Sequence, residues 1–232
     1  MVSSRLESEP AGRAAHRLGA LCAAALLFGL AVRLPAQDHG AVRLTWAILQ
    51  RGSDGMARPI DCTPEVIHLK AGDRIRIWMK PVTDGWFYLY LHDAQKRLTQ
   101  LFPADLRQAG VPARAGAGGF VPGSDMWFRL DGKPGTEVLY LILSDRRLDA
   151  LEAATIAGGE ARRATGSRPL DRPSEALEEI GRLIVASSSL VRPAEKPVPV
   201  AGDFRGLEVE SGVEGILIEA RGLYVRTFRL EH

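Results

Sequence analysis

Gly72-Asp73-Arg74-Ile75-Arg76-Ile77-Trp78-Met79-Lys80 is followed by Asp84-Gly85-Trp86-Phe87-Tyr88-Leu89-Tyr90-Leu91-His92 and then by Arg97-Leu98-Thr99-Gln100-Leu101-Phe102-Pro103. The stretch closes on Gly135-Thr136-Glu137-Val138-Leu139-Tyr140-Leu141-Ile142-Leu143-Ser144. These are four strand-like runs separated by turn residues. In the first, Ile75, Ile77 and Met79 face one way and Arg74, Arg76, Trp78 and Lys80 the other. In the second, Phe87, Leu89 and Leu91 oppose Trp86, Tyr88, Tyr90 and His92. Pro103 stops the third run because proline has no amide for a ladder. The run from Glu137 to Leu143 is apolar at nearly every position, as a strand covered on both faces should be.

Outward from this stretch the same period recurs. Residues 41–50 alternate (Val42, Leu44, Trp46 and Ile48 on one face), and shorter strands are expected at 66–69 and 126–130. Residues 146–157 and 174–191 read as helices, the second with Leu177, Ile180, Leu183 and Ile184 at helical spacing and Ser174 as its N-cap. Residues 158–173 and the proline-rich 193–202 read as linkers, and 104–125 as a flexible Gly/Ala-rich surface loop. Three more strands, 204–210, 215–220 and 223–230, end the chain. The expectation is a mainly β fold: an antiparallel β-sandwich, immunoglobulin-like, with a two-helix excursion at about 146–191 before the C-terminal strands. Helices do not alternate with strands, which disfavours a parallel α/β fold.

Residues 1–36 read as a signal peptide: Arg5, Arg13 and Arg17 lead into the uncharged run Leu18–Val32, and Leu34-Pro35-Ala36 supplies a cleavage site. The competing reading is a short membrane anchor, but the run falls short of the ~20 residues a spanning helix needs. Residues 37–232 are then a single exported domain, periplasmic or extracellular, with no stable membrane span after cleavage. Residues 1–36 hold four arginines and two glutamates. Without them the totals of 30 basic and 28 acidic residues become equal, which gives no support to a nucleic-acid partner. Only Cys62 remains, so an intramolecular disulfide is impossible. It reads as a partly buried, unreactive thiol, with an intermolecular disulfide as the functional alternative. The oligomeric state is left open.

No nucleophile elbow, zinc-protease helix, phosphate-binding loop or calcium loop is present. No catalytic residue and no cofactor are assigned. His92 beside Asp93 has the form of a base and its orienter, yet a strand-end histidine entering a turn is the better reading of the pair. One metal reading exists. Cleavage after Ala36 would expose Gln37-Asp38-His39, whose amine, amides and imidazole suit a square-planar Cu(II) or Ni(II) site. The residues favour a frayed terminus with Gln37 cyclised.

The runs Gly72–Ile77, Asp84–Tyr90, Leu101–Pro103 and Pro134–Leu141, ending at Ser144, resemble the bacterial family called domain of unknown function 4384 over about a third of the chain. The resemblance implies a β-rich module of the kind attached to signalling kinases, caspase-like peptidases or envelope domains. It implies a recognition or accessory role and transfers no catalytic residue. The signal and the helical excursion depart from the family pattern. The candidate binding surface is Arg76, Trp78, Trp86, Tyr88 and Tyr90, because arginine and aromatic residues are enriched in binding hot spots. Burial of these residues beneath the second sheet or the helices is the alternative. The expected function is therefore an exported, non-enzymatic binding or accessory module of the bacterial envelope with a protein or envelope partner. The alternative is a secreted hydrolase with a dispersed site using His68 or His92.

Overall fold

The computed structural model describes residues 39–106, 111–123, 126–130, 134–158, 169–170, 173–188, 193–200, 204 and 213–232. The signal expected at 1–36, and the strand expected at 204–210 apart from Phe204, lie outside these residues. In chain order the elements are β1 (Ala41–Arg51), β2 (Ala57–Ile60), β3 (Val66–His68), β4 (Arg74–Pro81), β5 (Trp86–His92) and β6 (Leu98–Phe102). Then come β7 (Gly119–Val121), β8 (Phe128–Arg129), β9 (Thr136–Ser144), α1 (Asp149–Gly158), α2 (Pro173–Ser188), β10 (Ala194–Pro199), β11 (Glu214–Arg221) and β12 (Leu223–Glu231).

The strands form two sheets packed face to face, which is the expected sandwich. The first has the order β10-β11-β1-β4-β7, with β2 paired to β1 and β8 to β4. The second has the order β3-β12-β9-β5-β6. All pairs are antiparallel except β12 with β3. The period-two faces meet between the sheets: Val42, Leu44, Trp46, Ile48, Ile75, Ile77 and Met79 pack on Phe87, Leu89, Leu139, Leu141, Leu143 and Phe228. Trp46 and Phe228 close the centre with ring centroids 4.8 Å apart.

Two of the points at which the chain changes sheet fall at glycines. Gly85, between β4 and β5, has no room for a side chain, since a Cβ would lie 3.0 Å from Val42 and 3.3 Å from the Ser144 carbonyl. Gly222, between β11 and β12, has φ +70°, a conformation glycine takes without steric cost.

The helices cover the outer face of the second sheet. Ala176, Ile180 and Leu183 recur at helical spacing on α2. With Leu151 of α1 they bury Tyr88, Tyr90, Ile142 and Val225. Pro173 opens α2, so Ser174 lies inside its first turn and is not the N-cap.

Three strands were not foreseen. β2 arises between the strands expected at 41–50 and 66–69, where no strand was expected. β7 lies inside the supposed flexible loop, whose described part is tied down. Asp84 accepts hydrogen bonds from the Ala115 amide (2.8 Å) and Arg114 (3.0 Å), and Gly85 and Ala113 exchange backbone bonds. β10 occupies the supposed linker at the edge of the first sheet.

Candidate functional site

The five residues expected to form one binding surface do not share a face. Arg76 and Trp78 lie on the outer face of the first sheet, and Trp86, Tyr88 and Tyr90 on the outer face of the second. Arg76, Trp78, Tyr88 and Tyr90 are 5%, 2%, 1% and 0% exposed; Trp86 is half-buried against the helices. Each set alternates with the common core, as the pleat requires, but the turn at Gly85 carries the chain from one sheet to the other.

Beneath the helices the hydroxyls of Tyr88 and Tyr90 are both used. Tyr88 Oη donates to Glu152 Oε1 (2.7 Å) and accepts from the Leu148 amide (3.2 Å). Arg147 closes the group, its Nη2 donating to Glu152 Oε2 at 2.6 Å. The Thr155 hydroxyl gives its proton to the Leu151 carbonyl (2.7 Å), so Tyr90 Oη donates to Thr155 at 2.9 Å. Burial holds both tyrosines well above the usual phenol range. This network anchors α1 and offers no reacting atom to solvent.

The outer face of the first sheet is built differently. Trp78, Phe204, Phe120, Val200 and Val213 form a small apolar cluster with Ala47 and Leu49. Trp78 meets Phe204 edge-on at 5.2 Å. Arg76 lies with Cζ 3.9 Å from the Phe120 ring centre and 5.8 Å from that of Trp127. Arg51 Cζ also lies 5.8 Å from the Trp127 ring centre. At this end Arg51, Arg74 and Arg129 are exposed, and so is Met126, at 55%. Sequence reasoning missed this group because it depends on pairing: Arg129 reaches Arg74 only through the β4–β8 register. The available signal was the shared parity of Arg74 with Arg76 along β4.

The histidines are scattered. His68, 77% exposed, faces Glu231 at 3.4 Å, and β12 and β9 lie between its strand and that of His92. Asp93 does not orient His92: its carboxylate accepts from the Arg97 amide (2.8 Å) and from Arg97 Nε (2.7 Å). His39 Nδ1 sits 3.8 Å from Asp145, while the Gly40 amide donates to the same carboxylate at 2.7 Å. The part of the supposedly frayed terminus that is described, His39–Gly40, is thus tied to the domain; residues 37–38 of the proposed square-planar site lie outside the described residues. Among the described residues no group of three or more His, Cys, Asp or Glu gathers as a metal site. Cys62 donates its thiol to the Ile60 carbonyl (3.3 Å), and burial pushes its pKa up to about 12. An open groove runs along α2, lined by Glu178, Gly181, Arg182, Val185 and Ala186. No helix among the described residues is long and apolar enough to cross a membrane.

The strands from β3 to β9 carry the decisive pattern. Residues 68–147 match the family model described as Domain of unknown function (DUF4384). The DUF4384 segment supplies β4 to β9, together with His68 at the end of β3, and so contributes strands to both sheets. The central β1, the helices and β10 to β12 lie outside it. The segment therefore lacks Val42, Leu44, Trp46 and Ile48, a large part of the shared core. No curated protein and no solved structure matches the chain.

Proposed function

We propose that this protein is an exported, non-catalytic binding or accessory module of the cell envelope, recognising a protein or envelope partner. One observation carries the binding reading: one end of the first sheet presents exposed Arg51, Arg74 and Arg129, with Trp127 against Arg51 and the exposed Met126 next to that tryptophan in the chain. Arginine, tryptophan and methionine are the residue types that concentrate in interfaces and their hot spots. The basic lead, apolar run and Ala36 support export. In a strain making the full chain with a C-terminal tag, material from the periplasm or medium should begin at or near Gln37. Tag capture from an envelope extract should retain a component in fixed proportion. An intact Met1 terminus in the cytosol would refute export, and an extract that yields no retained component would refute the binding role.

A further inference from the structure

We infer that the arginine-bearing end of the first sheet is a docking site for an acidic protein segment, with Arg51, Arg74 and Arg129 binding its carboxylates. This rests on the binding reading above and names the partner's chemistry. Arg74 and Arg129 are direct partners across β4 and β8. Arg51 ends β1, and continuing the β1–β4 register one step past Gln50↔Ile75 sets it beside Arg74. Ile75 and Phe128 point into the core, so their neighbours Arg74 and Arg129 point outward; Leu49 packs on the outer cluster, so Arg51 does too. Three guanidinium groups thus leave one face of neighbouring strands, which lie ~4.8 Å apart.

Like charges on directly opposed positions are destabilising. No described residue forms an ion pair with any of the three. The nearest described carboxylates in sequence are engaged elsewhere: Asp54 holds Arg58, and Asp73 accepts from the Lys70 amide. A bound anion would relieve the repulsion.

The composition selects the anion. All three positions are arginine, whose planar fork pairs with a carboxylate or a phosphate through two parallel bonds, so the apolar neighbours decide between them. Trp127 lies against Arg51, and the exposed Met126 precedes it in the chain, which a site for charge alone would not need. Arginine, tryptophan and methionine are enriched and lysine is depleted at protein interfaces. The patch fits an acidic segment that also carries an apolar side chain.

The test uses the full chain and a short dye-labelled peptide rich in glutamate and carrying leucine, followed by fluorescence anisotropy at low and moderate salt. Each of Arg51→Ala, Arg74→Ala and Arg129→Ala should weaken binding several-fold, and Arg74→Ala/Arg129→Ala together about tenfold. Arg221→Ala, an exposed arginine at the end of β11, should leave binding unchanged. Met126→Ser should weaken the leucine-bearing peptide and spare an all-glutamate one. The arginines are exposed and Arg74 and Arg129 repel each other, so melting temperatures should not fall below the parent value. Equal binding by parent and Arg74→Ala/Arg129→Ala would overturn the site. Arginine-dependent binding to phosphatidylglycerol vesicles without peptide binding would overturn the protein assignment in favour of a lipid surface. An envelope component captured equally well by the double variant would remove this site and leave the broader reading standing. Arginine-dependent peptide binding with no captured component would do the reverse.

Discussion

Tyr88 shows why a single residue type misleads. A tyrosine has an apolar body and a polar tip, so it suits both an exposed docking face and a buried hydrogen-bonded position. Its partners decide, and they stand far along the chain: Glu152 is 64 residues away, and Thr155, which serves Tyr90, is 65 residues away. No local pattern announces those pairs. Replacing Tyr88 by Phe keeps the ring but leaves the Leu148 amide and a buried carboxylate oxygen each short of a partner. The expected cost is about 1–3 kcal/mol, or roughly 2–4 °C in Tm per kcal/mol for a domain of this size. Tyr140→Phe is the control. Tyr140 is on the same sheet face and half-buried, and its hydroxyl bonds to no described residue, so stability should change by no more than about 0.5 kcal/mol. Urea unfolding of the two variants side by side checks this; equal midpoints would show that the Tyr88–Glu152 bond contributes nothing.

At the scale of elements, alternation was legible and sheet membership was not. The parity of Ile75, Ile77 and Met79 and of Phe87, Leu89 and Leu91 identified the core faces of β4 and β5. It said nothing about whether the two strands were neighbours, and the turn at Gly85 sends them to opposite sheets. β10 was hidden for another reason: its prolines read as a linker. Its position at the sheet edge admits them. The Val200 amide donates to the Val213 carbonyl at 3.0 Å, so the amides of Val198 and Lys196 face β11 by alternation, while Pro197 and Pro199 fall on the outward set. The prolines therefore cost no ladder bond, and they blunt an exposed edge. Lys196→Pro should remove an inward donor and destabilise the protein by about 1–3 kcal/mol. Pro197→Ala should keep the ladder and leave an unpaired edge donor. Amide exchange at β11 reads the difference: faster exchange in Lys196→Pro and parent-like exchange in Pro197→Ala are expected, and the reverse order would overturn the assigned register.

For the whole molecule, the sandwich and its helical excursion were legible because two-residue and helical periods are local properties. The arginine site was not, because it exists only after β1, β4 and β8 are placed side by side. One consequence belongs to no single element. Burial raises the pKa of Cys62 to about 12 and lifts Tyr88, Tyr90, Tyr140 and Tyr224 above the usual phenol range. All five groups are neutral when protonated. Once pH passes the unfolded-state values, ~8.5 for cysteine and ~10 for tyrosine, the unfolded chain holds fewer protons than the folded one. Stability therefore falls as pH rises. It should be unaffected by these groups below about pH 8 and decline first through Cys62, by at most ~1.4 kcal/mol per pH unit. The decline should steepen above about pH 10, where the four tyrosines join. Cys62→Ala should lower stability at neutral pH by leaving a small cavity, yet remove the first, shallow part of the alkaline decline and keep the second. Urea midpoints measured from about pH 7 to about pH 11 distinguish the two limbs. A parent curve that stays flat to about pH 11 would mean that water reaches the thiol and the phenols in the folded protein, and the packing of α1 and α2 over the second sheet would have to be abandoned.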